Sequence, residues 1–333
     1  MGHVAPCFPR THEGRESFEL TQWSLTNPSH PSYARGAMKL RLVVLLLLSA
    51  CGTPTVHAGS ADGGPPPASY VADIDGGKII ADGKGTSTAG GEGPGVAPEC
   101  TAVDPAKVAV SDMALVPAGP FTMGCNESVD QECRADERPS HEVTLKAFEI
   151  DKTEVTRAQY YLCVASGACT FPKCPWDPCA KPTVPVSCLT RSQALTYCEF
   201  VGKRLPSEAE WEKSARGTDG RKYPWGNEAP TCALANIAGC GTDLEPVGMH
   251  PGNASPYGVL DLAGNVVEWT TDFYEAEYYA TSPGVDPTGP QSASHYVGRG
   301  GGYLSEAVWH RTGSRDSYIA GYTRVSLGVR CAR

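Results

Sequence analysis

The sequence lacks several features by which function is often recognised. It has no run of basic residues, and its 333 residues carry a formal net charge of −9. Because phosphate groups and anionic lipid headgroups repel such a chain, the composition argues against nucleic acid or an acidic membrane surface as a partner. Gly-x-Ser-x-Gly and His-Glu-x-x-His motifs are also missing, so the common signatures of α/β-hydrolases and zinc proteases are excluded.

No apolar run is long enough to cross a bilayer as a helix. The longest, residues 42–50, has roughly half of the ~20 residues that a spanning helix needs. It follows basic residues and precedes Cys51, as in a secretory signal peptide. Residues 48–51, Leu-Ser-Ala-Cys, resemble the box at which bacterial lipoproteins are cleaved and lipidated. We therefore predict a lipoprotein signal peptide at 38–51, and an exported protein anchored to a cell-envelope membrane only through lipid on Cys51.

The segments that flank the predicted signal peptide do not have the composition of a folded domain. Residues 1–37 are polar and would misplace the signal, so we interpret them as an upstream extension from a wrongly assigned start. The alternative, a buried helix that begins at Lys39, has no packing partner in the segment that follows. Residues 52–110 are rich in Gly, Ala and Pro, bury too little to offset their ordering entropy, and are predicted to be a flexible tether. Residues 111–333 then form one domain.

Local signals within this domain predict an α+β fold with much irregular chain. Capping boxes begin at Thr156, Thr190 and Ser207, and each precedes apolar residues at helical spacing, which predicts three helices. Residues 141–148 alternate with period two and predict a half-buried strand. After Gly217, proline and glycine recur every few residues, which favours short strands and long loops.

The cysteines indicate disulfides. The chain has 14, and an even number remains when Cys7 and the predicted lipid-bearing Cys51 are set aside. Cys125 with Cys133 and Cys232 with Cys240 are predicted local pairs. Spacing leaves open how the others of the middle region connect: Cys100, Cys163, Cys169, Cys174, Cys179 and Cys188. Zinc at Cys174 and Cys179 is the alternative, although no pair of histidines accompanies them.

The stretch 255–272 carries the clearest chemical pattern. Asp261 and Glu268 flank a Gly264-Asn265 corner, where the backbone can double back and turn its carbonyls inward. Two carboxylates and nearby carbonyls would supply the hard oxygen ligands that calcium prefers. A hairpin whose acids face solvent fits the spacing equally well.

This stretch also resembles the signature of the sulfatase-modifying-factor family, whose best-known members are formylglycine-generating enzymes. Residues 257–269 (YGVLDLAGNVVEW) carry the resemblance. Further matching blocks occur in the family's order, at 115–124 (LVPAGPFTMG), 148–156 (FEIDKTEVT), 202–212 (GKRLPSEAEWE), 223–227 (YPWGN), 299–303 (RGGGY) and 328–332 (GVRCA).

The resemblance implies a compact, loop-rich single domain of the formylglycine-generating-enzyme fold, distantly similar to C-type lectin domains. It implies a disulfide between Cys198 and Cys331. It also implies structural calcium. The first set of ligands would be Asp261, Gly264, Val266 and Glu268, with Gly264 and Val266 acting through their carbonyls. The second set would be Asn236, Ile237 and Asp243.

The resemblance breaks down at the catalytic centre. Relatives hold Cu(I) on two cysteines shortly after the Gly-Gly-Ser-Tyr segment and use oxygen to convert a sulfatase cysteine to an aldehyde. Here Ser305 stands in the first place, and the second falls near 306–308, where there is no cysteine. Because Cu(I) requires soft ligands such as thiolates, copper is not expected as a cofactor. Further departures from the family pattern are Val267, Gly302, Ala215 and Thr312.

Two further readings concern polar residues near Ser305. Ser305, His310 and Asp316 have the residue types of a hydrolase triad, but they are crowded on one loop, and polar groups that satisfy a cleft are the favoured interpretation. Arginines of the same region are predicted to be buried ion-pair partners rather than anion ligands: Arg311, Arg315 and Arg330.

Three hypotheses for function follow. The first is a monomeric, non-catalytic, calcium-stabilised module that binds a peptide, protein or glycan. The second is a formylglycine-generating oxidoreductase that acts through unusual ligands. The third is an oxidase whose metal is held by histidines, although the sequence shows no compact group of them.

Overall fold

Short strands and three short helices carry the regular structure, and loops connect them. The computed structural model describes residues 73–75, 78–80, 100–101 and 103–333. The predicted upstream extension, signal peptide and Cys51 lie outside these residues. No helix in the described ranges is long and apolar enough to cross a membrane. The helices are α1 (Arg157–Ala165), α2 (Arg191–Phe200) and α3 (Glu208–Arg216), with 3-10 helices at Pro105–Lys107, Ala135–Glu137, Pro251–Asn253, Tyr278–Ala280 and Ala307–His310.

The strands form small sheets. In chain order they are β1 (Asp73–Asp75), β2 (Lys78–Ile80), β3 (Met113–Val116), β4 (Gly119–Met123), β5 (His141–Leu145), β6 (Phe148–Asp151), β7 (Val267–Phe273), β8 (Tyr296–Arg299), β9 (Asp316–Tyr318) and β10 (Leu327–Gly328). The largest sheet has the order β10-β7-β8-β9, and three two-stranded sheets pair β1 with β2, β3 with β6 and β4 with β5. Only β7 and β10 of these described strands run parallel. The prediction of a loop-rich α+β domain is confirmed.

The helices begin where the capping boxes predict. At the start of α1, the Thr156 hydroxyl accepts a hydrogen bond from the Gln159 N–H at 3.2 Å, and the Gln159 side chain accepts one from the Thr156 N–H at 2.8 Å. The same reciprocal bonds begin α2 and α3. Gly217 ends α3 with φ 67°, a conformation that glycine adopts without strain. Two orphan N–H groups at each helix start are thereby satisfied.

Six disulfides connect all the cysteines of the described part. The predicted pairs Cys125–Cys133 and Cys232–Cys240 are confirmed, and so is the pair implied by the resemblance, Cys198–Cys331. The last closes a separation of 133 residues and contributes about 4–5 kcal/mol on the chain-entropy model. The connectivity left open is Cys100–Cys179, Cys163–Cys169 and Cys174–Cys188. The zinc alternative is wrong, because the sulfurs of Cys174 and Cys179 are bonded to different partners.

The end of the predicted tether is ordered. Cys100 is disulfide-bonded to Cys179, and Val103 is buried in the same core cluster as helix α1. The backbone N–H of Cys100 also donates to the Tyr161 hydroxyl at 3.2 Å. The folded part therefore includes Cys100, ahead of the predicted boundary at residue 111. The hairpin of β1 and β2 gives a further piece of the segment 52–110 regular structure.

Buried ion pairs hold the loops of the last third. Arg311 contacts Glu137 at 2.6 Å, and Arg315 contacts Glu208 at 2.7 Å. The side chains of both arginines are fully buried, as is that of Arg330, which contacts Glu268 at 2.7 Å. The prediction that these arginines are ion-pair partners is confirmed. Each ties a loop with little regular structure to an earlier part of the chain.

The buried carboxylate of Asp272, near the end of β7, allows the energetics of this polar interior to be tested. This carboxylate accepts a hydrogen bond from the Glu208 N–H, at the start of α3, at 2.9 Å. Burial and the nearby Glu208 raise the pKa of Asp272 to about 7. Because the folded state holds this proton more tightly than the unfolded state, the free energy of unfolding falls as pH rises from about 4 towards 7.

We expect Asp272→Asn to be as stable as the wild type at pH 4 and more stable at pH 8. The amide keeps an acceptor oxygen for the helix and carries no charge, so the difference grows by up to about 1.4 kcal/mol per pH unit within the window. Urea denaturation at both pH values measures it. Asp286→Asn is the matched control, because Lys146 lowers the pKa of that half-exposed carboxyl and the substitution should give no gain at pH 8. Equal unfolding free energies of wild type and Asp272→Asn at pH 8 would contradict this account.

Candidate metal centre and ligand-binding surface

The Gly264-Asn265 corner of the stretch 255–272 depends on three unusual backbone conformations. Asp261 and Asn265 both have φ 59°, and Gly264 has φ 93°. A Cβ at Gly264 would come within 2.5 Å of the Asn236 carbonyl oxygen, so only glycine fits there. The Gly264 N–H donates to the Gly300 carbonyl at 3.0 Å, and the Asn265 N–H donates to the Asn236 carbonyl at 2.9 Å. The hairpin with acids in solvent is therefore wrong, because this corner is buried among other loops.

Both predicted carboxylate ligands of the first site are buried. Glu268 is 0% exposed and receives two hydrogen bonds of 2.7 Å from the Arg330 guanidinium and one of 2.7 Å from the Trp211 indole. Asp261 accepts from the Gly248 N–H at 2.6 Å and from the Asn253 amide at 3.3 Å. Neither carboxylate is exposed to solvent, and both are held by hydrogen bonds.

A third carboxylate, Glu154, was missed by the sequence reasoning. It is 0% exposed and accepts hydrogen bonds from the Val266 N–H at 3.2 Å and the Asn265 amide at 3.0 Å. Burial, followed by the charges of Asp261 and Glu268, raises its pKa well above the usual range. Its position inside the matching block 148–156 was the signal that could have pointed to it.

This cluster has more negative than positive charge. Glu154, Asp261 and Glu268 interact electrostatically with one another and with one cation, Arg330. Buried charges are stable only when they are paired, protonated or bound to a metal. The three carboxylates supply hard oxygens of the kind that calcium selects, and the family resemblance adds the carbonyls of Gly264 and Val266 as further ligands. The residues therefore fit the ion, and calcium at the first site stays a prediction.

The structure does not bring the predicted ligands of the second site together. Asn236 is buried and the oxygen of its side chain has no hydrogen-bond partner. The Asp243 carboxylate is turned away, with one oxygen 2.5 Å from the Lys181 ammonium and the other accepting from the Leu244 N–H at 2.8 Å. The Ile237 carbonyl accepts from the Cys240 N–H at 3.0 Å. Only the backbone oxygen of Asp243 faces Asn236, whose amide donates to it at 3.0 Å.

Ser305 is held by backbone and arginine rather than by a catalytic partner. Its hydroxyl accepts from the Gly302 N–H at 3.1 Å and lies 3.4 Å from the Arg324 guanidinium. His310 is fully buried, with Nδ1 2.8 Å from the Gly300 carbonyl and Nε2 3.0 Å from the Ser305 carbonyl. Burial lowers the pKa of His310. Because its ring faces backbone oxygens and not the Ser305 hydroxyl, the hydrolase reading of these residues is wrong; Asp316 hydrogen-bonds Tyr318 instead.

The space around Ser305 is closed on its inner side. A Cβ at Gly302 would lie 2.7 Å from the Cβ of Ser326, and one at Gly301 would lie 2.5 Å from the His310 ring. The neighbouring recess, between Gly301, Trp309 and Asp316, does not admit a water molecule. A larger side chain at Gly302 would therefore require Ser326 to move.

The donor set beside Ser305 does not fit Cu(I). All the described cysteines are in disulfides. In the part of the chain that the structure describes, one group of potential metal ligands clusters within 4.8 Å: Cys125, Asp130, Cys133 and Glu137. Its sulfurs form a disulfide, and the Arg311 guanidinium lies 2.7 Å from Asp130 and 2.6 Å from Glu137. This group contains no histidine, so it gives no support to a histidine-based oxidase either.

Comparison with known proteins agrees with the family that the motifs indicate. Residues 99–333 match the model of the sulfatase-modifying factor enzyme 1-like domain. The chain belongs to the sulfatase-modifying factor family. It is 32% identical over 278 residues to the formylglycine-generating enzyme of Streptomyces coelicolor, which covers 65% of this chain and 87% of that enzyme. It is also 32% identical to hercynine oxygenase of Mycolicibacterium smegmatis, over 47% of this chain and 44% of that enzyme.

Solved structures confirm the fold of this family member. PvdO from Pseudomonas aeruginosa matches with a TM-score of 0.60 and 26% identity, over 67% of this chain and 94% of that one. Treponema denticola variable protein 1 matches with a TM-score of 0.54 and 25% identity, over 66% and 94%. The predicted family and its fold are thus both confirmed.

The acidic cluster predicts how stability depends on pH when calcium is removed. The pKa of Glu154 lies above 4.5 in the folded state, so in chelator the free energy of unfolding should fall as pH rises above about 4.5. Calcium favours the ionised carboxylates, so saturating calcium should abolish this fall and raise the melting temperature by about 5–10 °C at 100 times the dissociation constant. Calorimetry at pH 5, 6, 7 and 8, with chelator and with calcium, measures both effects.

The variant Glu154→Gln should flatten the decline in chelator and weaken the response to calcium. Glu149→Gln is the matched control: it makes the same change on the neighbouring strand, where Glu149 is half-exposed and pairs with Arg333. An unaltered decline in Glu154→Gln would show that this carboxylate is not the titrating group.

Proposed function

We propose that this protein is a non-catalytic, calcium-stabilised ligand-binding member of the sulfatase-modifying factor family. It would be exported as a monomer and held at a membrane of the cell envelope by lipid on Cys51. The observation that carries the proposal is the environment of Ser305, where a serine hydroxyl stands in the place of the first thiolate and residues 306–308 contain no cysteine. The calcium-binding corner of the family, in contrast, retains its full set of oxygen donors.

The loss of oxidase chemistry follows from the donor atoms. Cu(I) prefers soft sulfur ligands, and a serine hydroxyl is hard. Both nitrogens of His310 already face carbonyl oxygens, at 2.8 and 3.0 Å, so the ring would have to break these contacts to bind a metal. The described cysteines would each have to be reduced first. We therefore favour a binding role over the alternative, a formylglycine-generating oxidoreductase.

The surface beside Ser305 supports a role in binding. Apolar side chains are exposed here: Leu304 (60%), Ile319 (52%), Tyr322 (41%) and Val325 (45%). Tyr322 stacks on Tyr318 with ring centroids 5.2 Å apart, and Arg324 lies over the Tyr318 ring. The Arg324 Nε has no hydrogen-bond partner. Exposed apolar groups around a guanidinium favour a polypeptide with apolar and acidic side chains over a glycan.

The decisive experiment tests whether the protein converts a peptide cysteine to an aldehyde, as formylglycine-generating enzymes do. The purified protein is loaded with Cu(I) and incubated aerobically with a Cys-x-Pro-x-Arg peptide, and the peptide mass is followed. We expect no conversion of the cysteine to an aldehyde and no oxygen consumption, because the pocket supplies no thiolate pair. The Streptomyces coelicolor formylglycine-generating enzyme under the same conditions is the positive control. Aldehyde formation that tracks the folded protein would overturn the proposal in favour of the oxidoreductase.

The proposed anchor has its own test. Cys51→Ser, expressed from Met38 in a bacterium with a lipoprotein pathway, should move the protein from the membrane fraction to the soluble envelope fraction. The wild-type chain expressed from Met38 in the same strain is the control and should stay in the membrane fraction. Membrane association that persists in Cys51→Ser would rule out a lipid on this cysteine.

A further inference from the structure

Arg324 carries a positive charge that has no acidic partner in the described part of the chain. The residue is half-buried, and its Nε is buried without a hydrogen-bond acceptor. In that part of the chain the guanidinium reaches one acceptor, the Ser305 hydroxyl, at 3.4 Å. Arg311, Arg315 and Arg330, by contrast, each lie within 2.7 Å of a carboxylate. A half-buried guanidinium without a counter-ion is costly, so an anion supplied by a ligand would stabilise it.

Two acids of the same region do not supply this anion. Glu306 follows Ser305 in the sequence, but it is exposed and forms no ion pair with a described residue. The Asp316 carboxylate accepts hydrogen bonds from the Tyr318 hydroxyl and from the Ser317 N–H. The place beside Ser305 and Arg324 is thus left without a carboxylate from the described chain.

The Ser305 hydroxyl offers a second donor at the same place. Its oxygen accepts from the Gly302 N–H at 3.1 Å and lies 3.4 Å from the Arg324 guanidinium, so neither contact uses the hydroxyl proton. Ser305 is also partly exposed, which leaves this proton within reach of a ligand. A guanidinium and a hydroxyl proton side by side match the two oxygens of a carboxylate. A cysteine in this position would donate only weakly through its thiol.

Packing holds Arg324 in place without a ligand. Its backbone carbonyl accepts from the Cys188 N–H at 3.2 Å, and its guanidinium lies 5.5 Å from the centroid of the Tyr318 ring. Tyr318 packs edge-on against the fully buried Trp269, with ring centroids 5.8 Å apart, and Tyr322 stacks on Tyr318. Because these groups are already ordered, binding would cost little conformational entropy.

We infer that Arg324 and Ser305 bind the side-chain carboxylate of an Asp or Glu in a peptide ligand. The apolar side chains exposed around them would hold the neighbouring residues of that peptide: Leu304, Ile319, Tyr322 and Val325. A small inorganic anion would use the charge but leave these apolar groups in water, so the surface as a whole fits a peptide better. The inference rests on the proposed binding function and names the chemical group that this surface recognises. It also gives the serine, which stands where relatives hold copper, a role in recognition.

The test starts from a library of short synthetic peptides with both termini blocked, so that only side chains supply carboxylates. We expect the selected binders to share an Asp or Glu beside apolar residues, and to bind more weakly as salt is raised. Calorimetric titration of one binder then compares variants. Arg324→Gln should weaken binding about tenfold or more, Arg324→Lys should recover part of the loss because it keeps the charge, and Ser305→Ala should weaken binding by a smaller factor.

Arg157→Gln is the matched control and should bind as the wild type does. Arg157 is also half-buried with a buried, unpartnered Nε, but it belongs to helix α1 and interacts electrostatically with Asp177 and Asp243. Melting temperatures of all variants show whether each one folds, so that a loss of binding is not confused with unfolding.

A double-mutant cycle decides whether Arg324 contacts the acid of the peptide. Replacing that acid by its amide should weaken binding to the wild type by about the same factor as Arg324→Gln does, and should have little effect on binding to Arg324→Gln. If the two losses simply add, or if the selected peptides contain no acid, the inference is overturned while the proposed binding function stands. A library without any binder also overturns it. Aldehyde formation in the copper experiment, in contrast, overturns the proposed function itself.

Discussion

The carboxylates of Glu154, Asp261 and Glu268 are buried together against a single guanidinium, that of Arg330. Such a group is costly in a protein interior unless protons or a cation balance it. The backbone around it is correspondingly constrained, since Asp261 and Asn265 both adopt φ 59° and Gly264 cannot carry a side chain. A divalent ion would relieve the repulsion and fix these conformations together. Without such an ion, packing alone would have to supply this stability in a domain that has little regular structure.

Asn265 links this corner to the loop that carries Asn236. Its amide nitrogen donates to Glu154 at 3.0 Å, while its oxygen accepts from the Asn236 amide at 3.3 Å and from the Glu245 N–H at 3.1 Å. An ion bound at the first site would therefore also order this asparagine. Arg299 on β8 is also buried, and its guanidinium lies 2.6 Å from the Glu212 carboxylate on α3. This ion pair connects β8 to α3. Polar contacts to helix α3 and to the stretch 255–272 thus hold the loops around them in place.

What residue patterns alone could predict was local, and the distant pair Cys198–Cys331 was implied only by the family resemblance. Capping boxes at Thr156, Thr190 and Ser207 gave the helix starts, because the two hydrogen bonds of each box lie within four residues. Close cysteines such as Cys125 and Cys133 were paired correctly for the same reason. The partner of Cys100, the turning of Asp243 towards Lys181 and the arrival of Glu154 beside Asn265 depend on contacts between residues 62 to 111 positions apart. Periodicity and spacing contain no information about such contacts.

The surroundings of Ser305 also show why a single substitution would not create a two-thiolate copper site there. A cysteine at Ser305 would supply one thiol, but residues 306–308 would supply no second one, and both ring nitrogens of the nearby His310 face backbone carbonyls. Gly302 has no space for a serine, because Ser326 fills it. Several residues from two loops have therefore adapted to one another. The acidic cluster shares none of these side chains, since its contacts run through Glu154, Asn265 and Arg330. In the function that we propose, the fold would keep its stabilising site while the neighbouring surface, with Leu304 and Arg324, would bind a ligand rather than catalyse a reaction.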